Sequence, residues 1–175
     1  GVGGGGWATR WAIADGSNNA ELMMPGDAGF EPLGGSGGNY LKVDPSAAGN
    51  NTIRRRAENF GDVDLAQPHE ISWQWRFDGD LAEMAETCNR IHFFADDTKP
   101  SGSAGSNAWL IGYHSGGQHG FGGDEDQWYF FDGAEGDSFN TSNMVLSGME
   151  LLAGEVYDFK VSVFPESGTY DARIR

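Results

Sequence analysis

The sequence predicts an all-β fold, and the main indication is that apolar and polar residues alternate with a period of two. The clearest segment is 70–78, where Ile71, Trp73, Trp75 and Phe77 occupy every second position and polar residues fill the others. Successive side chains of a strand point to opposite faces of a sheet, so these four fall on one face. A helix would scatter them around its circumference.

The second indication is that short segments of this kind recur, separated by clusters of Gly, Asn, Asp, Ser and Pro. Eight or more strands at this spacing are typical of a sandwich or a barrel. We expect a hairpin turn at 165–168 and one or two helical turns over 81–88. Strands are predicted at 19–24, 39–44, 52–57, 70–78, 89–95, 108–113, 127–132, 156–164 and 169–175.

Length and charge limit the classes of partner. With 175 residues, of which 38% are hydrophobic, the chain supplies one core, and we expect 1–175 to form a single domain. Its 11 Lys and Arg against 26 Asp and Glu give a net charge of −15, which opposes nucleic-acid binding through the overall field. No apolar run approaches the ~20 residues that cross a bilayer, so membrane insertion is not expected. The lone Cys88 allows no intrachain disulfide.

Three motifs of the sequence are informative. They are Gly-Gly-Gly-Gly-Trp-x-x-x-Trp at 3–11, Ile-Ser-Trp-Gln-Trp-Arg-Phe at 71–77, and Tyr-Asp-Phe-Lys-Val-Ser-Val at 157–163 followed by Gly-Thr-Tyr-Asp-Ala at 168–172. These motifs resemble those of extracellular concanavalin A-like (laminin G-like) domains of bacteria. The resemblance implies a two-sheet antiparallel jelly-roll sandwich, frequently with a structural calcium ion, that recognises glycans. Some members of the family are glycosidases or lyases.

In that family a strand precedes the Gly-Trp segment and further strands follow the closing hairpin, and we expect both to be missing or shortened in this sequence. The chain opens with Gly-Val rather than Met and stops within the alternating segment 169–175. We therefore expect a piece of a longer secreted protein, or a sheet edge completed by a neighbouring chain through self-assembly.

Two kinds of glycan-cleaving enzyme with this fold class need different catalytic residues. The Glu-x-Asp-x-x-Glu pattern by which retaining glucanases of this fold class place two carboxylates on one strand does not occur. A jelly-roll polysaccharide lyase needs a cation to neutralise a uronate and a His/Tyr pair to move protons. Arg54, Arg56, His92 and Tyr129 are the candidates for that alternative.

Arginine supplies the main binding hypothesis. Most basic residues fall at the positions of predicted strands where polar residues alternate with apolar ones. They are Arg54, Arg56, Arg76, Arg90, Lys160, Arg173 and Arg175. If these strands share a sheet, they form a cationic strip suited to carboxylate or sulfate groups of an anionic polysaccharide. Alternatively, the arginines are split between two faces and form cross-strand pairs with acidic residues such as Asp158 and Asp171.

Aromatic rings can stack on sugar faces, and Trp7, Trp11, Trp109, Tyr113 and Trp128 are candidates for this, with burial in the core as the alternative. The predicted ligand-binding set is Arg54, Arg56, Arg76, Arg90, His92, Trp109, Tyr113 and Tyr129.

Acidic turns suggest a Ca²⁺ site. Asp62, Asp64, Asp124 and Asp126 lie in oxygen-rich loops of the kind that bind calcium, although none has EF-hand spacing and solvated acidic loops are the alternative. Zinc is not expected, because the chain has one Cys and its histidines, His69, His92, His114 and His119, are scattered.

Taken together, the sequence predicts a non-catalytic carbohydrate-binding or adhesion module of a secreted or cell-surface bacterial protein. The alternatives are a jelly-roll polysaccharide lyase and a structural subunit of an extracellular filament or surface layer.

Overall fold

The computed structural model describes residues 12–15, 18–33, 38–45, 52–54, 64–87, 90–96, 107–114, 126–131 and 144–175. In these ranges the protein is all-β, with antiparallel strand pairing throughout and one short helix. The strands are β1 (Ala12–Asp15), β2 (Asn18–Met23), β3 (Tyr40–Pro45), β4 (Thr52–Arg54), β5 (His69–Arg76), β6 (Arg90–Asp96), β7 (Asn107–His114), β8 (Gln127–Phe131), β9 (Met144–Glu150), β10 (Val156–Phe164) and β11 (Thr169–Ile174), and the helix is α1 (Leu81–Thr87).

The chain divides into two compact units, residues 1–76 with 156–175 and residues 77–155. The first contains the pairs β1-β4 and β2-β3 and a three-stranded sheet in the order β11-β10-β5. The second contains a four-stranded sheet in the order β6-β7-β8-β9. The described ranges contain no helix long and apolar enough to cross a membrane.

The three-stranded sheet follows the alternation predicted from the sequence. Exposure alternates along β10, with Phe159 and Val161 almost completely buried and Asp158 and Lys160 exposed. Trp73 of β5 lies opposite Phe159 in the register, and their rings stack with centroids 5.1 Å apart at 5°. One face of this sheet is therefore apolar and the other polar.

The four-stranded sheet is different, because both faces of its inner strands are buried. Leu110, Tyr129 and Phe131 form a core cluster on one face, joined by the partly buried Phe94 and Met144. On the other face Trp128 is fully buried and packs against Phe93 and Tyr113. Arg90 and His92 occupy the polar phase of β6, yet they share their side of the sheet with the buried Leu110 and Tyr129.

Nine of the strands were predicted, eight of them within two residues at both ends, whereas β4 is described only to Arg54 of the predicted 52–57. The hairpin turn was also predicted, and there Gly168 N donates to Pro165 O over 3.2 Å. Helix α1 was also predicted, and Asp80 caps it by accepting from the backbone N of Ala82 at 2.8 Å. Strands β1 and β9 were missed. In β9 the Ser147-Gly148 pair interrupts the alternation, and Gly148 has a φ of 72°, which other residues rarely adopt.

Candidate functional site

Two histidines and a tyrosine meet on one face of the four-stranded sheet. The register places His92 of β6 opposite Gly112 of β7, and Gly112 opposite Tyr129 of β8. His114 lies two residues beyond Gly112, and therefore on the same face. Three neighbouring strands thus contribute to one cluster, which we call the His–His–Tyr cluster (His92, His114, Tyr129).

The polar atoms of this cluster form a nearly equilateral triangle. The Nε2 atoms of His92 and His114 are 3.0 Å apart. Tyr129 Oη is 2.9 Å from His92 Nε2 and 2.8 Å from His114 Nε2. All three distances lie within hydrogen-bonding range.

Gly112 makes this geometry possible because the phenol ring of Tyr129 lies across its Cα. A Cβ at position 112 would be 2.3 Å from both Cζ and Oη of Tyr129. The absence of a side chain lets Tyr129 reach across β7 to His92 on the edge strand β6.

Burial decides what the cluster can do chemically. Tyr129 is 1% exposed and His114 2% exposed, whereas His92 is half-buried. Burial raises the pKa of Tyr129 well above its usual range, against an opposing effect of the Arg90 charge. The phenol therefore stays protonated near neutral pH, as a hydrogen-bond donor rather than a base.

The aromatic members of the predicted binding set do not join one surface. Trp109 and Tyr113 lie on the face of β7 opposite to His114, and they are 6% and 3% exposed. Trp128 is fully buried. These rings therefore present almost no area on which a sugar could stack, while Trp7 and Trp11 lie outside the described residues.

The strands that carry the arginines do not share one sheet, so a single strip across one sheet is not formed. Arg54 is on β4, Arg76 and Arg173 are in the three-stranded sheet, and Arg90 is in the four-stranded sheet. Arg56 lies outside the described residues. The Arg76 guanidinium donates to the backbone carbonyls of Pro32 at 3.0 Å and Glu31 at 3.4 Å, which ties β5 to that loop.

A second candidate surface is the polar face of the three-stranded sheet. Lys160 Nζ lies 2.6 Å from Glu70 Oε1, and Ser162 donates to the same carboxylate oxygen at 3.0 Å. These two hydrogen bonds, that from Lys160 first, lower the pKa of Glu70. The charged and amide or serine side chains of this polar face are Glu70, Ser72, Gln74, Arg76, Asp158, Lys160, Ser162, Asp171, Arg173 and Arg175.

Two of the four acidic residues predicted to bind calcium lie in the described part of the chain. Asp64 Oδ1 accepts from Ala66 N at 2.9 Å and so caps a turn. Asp126, which has a φ of 67°, accepts from Tyr113 Oη at 3.3 Å. Asp62 and Asp124 lie outside it, and the described side chains include no group of three or more His, Cys, Asp or Glu that could hold a metal ion.

His114 is the residue that sequence reasoning missed. It was grouped with scattered histidines, but the β6-β7 register brings it to His92, 22 positions away. The contact could have been found only from the pairing register of β6 and β7, and the alternation pattern of the sequence does not give that register.

Comparisons of the chain with protein-family models, with curated proteins and with solved structures find no match.

Proposed function

We propose that this chain is a non-catalytic module of a secreted or cell-surface bacterial protein that binds acidic polysaccharide, on a concanavalin A-like jelly-roll fold. The observation that carries the proposal is the charge of the polar face. It has four cations and three carboxylates, hence a formal charge of +1, on a chain whose net charge is −15.

The positions of two cations support an anionic ligand. Lys160 lies directly opposite Arg173 in the β10-β11 register. Like charges placed opposite each other on neighbouring strands are destabilising. Glu70 pairs with Lys160 and offsets part of this repulsion. A ligand carboxylate or sulfate above the pair would offset the rest, and the planar guanidinium suits two parallel hydrogen bonds to such a group.

The remaining side chains of the face favour a sugar over a phosphate chain. The carboxylates of Asp158 and Asp171 can accept hydrogen bonds from sugar hydroxyls, which a phosphate chain without free hydroxyls does not offer. Gln74, whose amide donates to Asp158 at 2.8 Å, adds a polar group at the same level. A strand of nine residues such as β10 extends about 30 Å, long enough for several sugar units.

The proposal is tested by isothermal titration with alginate and polygalacturonate as acidic polymers and dextran as the neutral one. Replacing both cations, Lys160→Gln with Arg173→Gln, should weaken binding by roughly tenfold or more, because each exposed charge-assisted contact contributes about 1 kcal/mol. Lys42→Gln, an exposed cation on β3, is the matched control and should bind normally.

Binding should also weaken steeply as salt is added. Equal affinity of the double variant and the parent, or absence of binding to either acidic polymer, would refute the proposal. Repeating the titration with a calcium chelator tests the calcium prediction separately. A protein that sediments as a polymer and binds neither the acidic polymers nor dextran would favour the structural-subunit alternative.

A lyase is the second candidate, because His92 and Tyr129, two residues of the predicted catalytic set, are within 2.9 Å. We favour binding because Tyr129 is buried and its raised pKa is the reverse of what a general base requires. Ultraviolet absorbance of an unsaturated uronate product, lost in His92→Ala, would overturn this preference.

A further inference from the structure

We propose that the His–His–Tyr cluster binds one divalent transition-metal ion through His92 Nε2, His114 Nε2 and Tyr129 Oη. The proposal is independent of polysaccharide binding. It revises the expectation that zinc is excluded by scattered histidines, since strand pairing removes the scatter.

The first argument is a count of hydrogens. A ring nitrogen carries either a hydrogen or a lone pair, and the tyrosine has one hydrogen. If both Nε2 atoms are protonated, their hydrogens collide across the 3.0 Å contact. If one is protonated, two hydrogens serve three contacts, so one contact has no hydrogen of its own. A cation among the three atoms satisfies all three contacts at once.

The second argument is distance. Metal bonds to imidazole nitrogen and to oxygen are about 2.0–2.1 Å long, so ligands at right angles lie about 2.9 Å apart. The three separations in the cluster are 2.8, 2.9 and 3.0 Å. They match three ligands on one side of a metal, which leaves its other positions to water.

Metal binding requires the two imidazole rings to reorient. The imidazoles of His92 and His114 have centroids 5.3 Å apart and an interplanar angle of 24°, so they meet edge to edge through their Nε2 atoms. To bind one ion, both rings must rotate so that the two lone pairs, which point toward each other, converge beside Tyr129 Oη.

The surroundings supply rigidity and a route from solvent. His114 and Tyr129 are held on buried inner strands, while His92 is half-buried on the edge strand β6. Burial keeps Tyr129 protonated in the metal-free protein, so binding through Oη has to release the phenol proton to solvent. Two imidazoles with a phenolate suit Zn²⁺, Ni²⁺ and especially Cu²⁺.

The test uses untagged, chelator-stripped full chain titrated with CuCl₂, NiCl₂ and ZnCl₂, followed by elemental analysis for stoichiometry. We expect one metal per chain. For Cu²⁺ we also expect nitrogen hyperfine structure in the electron paramagnetic resonance spectrum and a visible tyrosinate-to-copper charge-transfer band.

Three variants separate the roles. His92→Gln, at the half-buried position, should reduce affinity more than tenfold while retaining the far-ultraviolet circular dichroism of the parent. Tyr129→Phe should abolish the charge-transfer band. His69→Gln is the control, because His69 lies on β5 outside the cluster, with its Nδ1 2.9 Å from Gln67 O, and it should bind metal like the parent.

Failure to bind any of the three ions stoichiometrically, or unchanged affinity in folded His92→Gln, would overturn the proposal. In either case the cluster is a hydrogen-bonded pair of histidines braced by a tyrosine. Neither outcome affects the test of polysaccharide binding, because that test changes residues of the three-stranded sheet.

Discussion

Gly112→Ala is a small change with a large expected effect on stability. Its new Cβ would lie 2.3 Å from Tyr129 Cζ and Oη and 2.7 Å from Cε1. These atoms belong to a ring that is 1% exposed and whose hydroxyl contacts two histidines, so it cannot move aside freely.

The magnitude follows from two costs. Overpacking of a filled interior costs about 1–3 kcal/mol. Displacing the Tyr129 hydroxyl loses up to two hydrogen bonds of about 1 kcal/mol each. Alanine recovers about 0.4–1 kcal/mol through the unfolded state, since Gly112 has an ordinary negative φ. We expect a net loss of about 3 kcal/mol in the free energy of unfolding, and a fall in Tm of roughly 10 °C for a chain of this size.

Urea unfolding followed by far-ultraviolet circular dichroism measures this loss, and a double-mutant cycle identifies its cause. In the Tyr129→Ala background the obstructing ring is gone, so Gly112→Ala should be close to neutral. Equal destabilisation by Gly112→Ala in both backgrounds, or a parent-like midpoint for the single variant, would show that the steric explanation is incorrect.

Two further predictions concern the three-stranded sheet. Val161→Ala, at the fully buried centre of β10, should lower the free energy of unfolding by about 2 kcal/mol. Val145→Ala, at a position 55% exposed on β9, is the control and should change the unfolding midpoint little. Comparable losses in the two variants would contradict the burial argument. Lys160→Gln should raise the pKa of Glu70 toward the ordinary 4.5, measured by the side-chain carboxyl shift in an NMR titration, with Lys42→Gln as an unchanged control. Because Lys160 lowers the pKa of Glu70 in the folded state, the stability that Glu70 contributes is present above the ordinary carboxyl pKa. This stability is lost as pH falls through the lowered pKa. An unchanged pKa of Glu70 in Lys160→Gln would exclude the ion pair as the source of the shift.

Much of the local structure could be predicted because side chains along a strand point to the same face at every second residue. Segment 156–164 was predicted with the bounds that β10 has, since its apolar and polar residues alternate without interruption. Strand β9 could not be found in this way, because Gly148 and a register shift in its pairing with β8 interrupt the pattern.

The sites were harder to predict than the strands. His92 and Tyr129 were both named as candidates, but their contact depends on Gly112, which has no side chain to suggest a role. Trp109 and Tyr113 were named as sugar-stacking candidates, yet they are buried because β7 packs on both faces. Alternation indicates which side chains share a face, but not whether that face is covered.

The sequence by itself determined that the chain is all-β, acidic and built from strands with one aromatic side, because these properties depend on neighbouring residues and on composition. Only the tertiary structure decided which strands pair and in what register. Pairing brought His92 to His114, placed Lys160 opposite Arg173 and distributed the arginines over three sheets. The physical reason is that pairing joins residues far apart along the chain, through backbone hydrogen bonds that are the same for every residue type except proline.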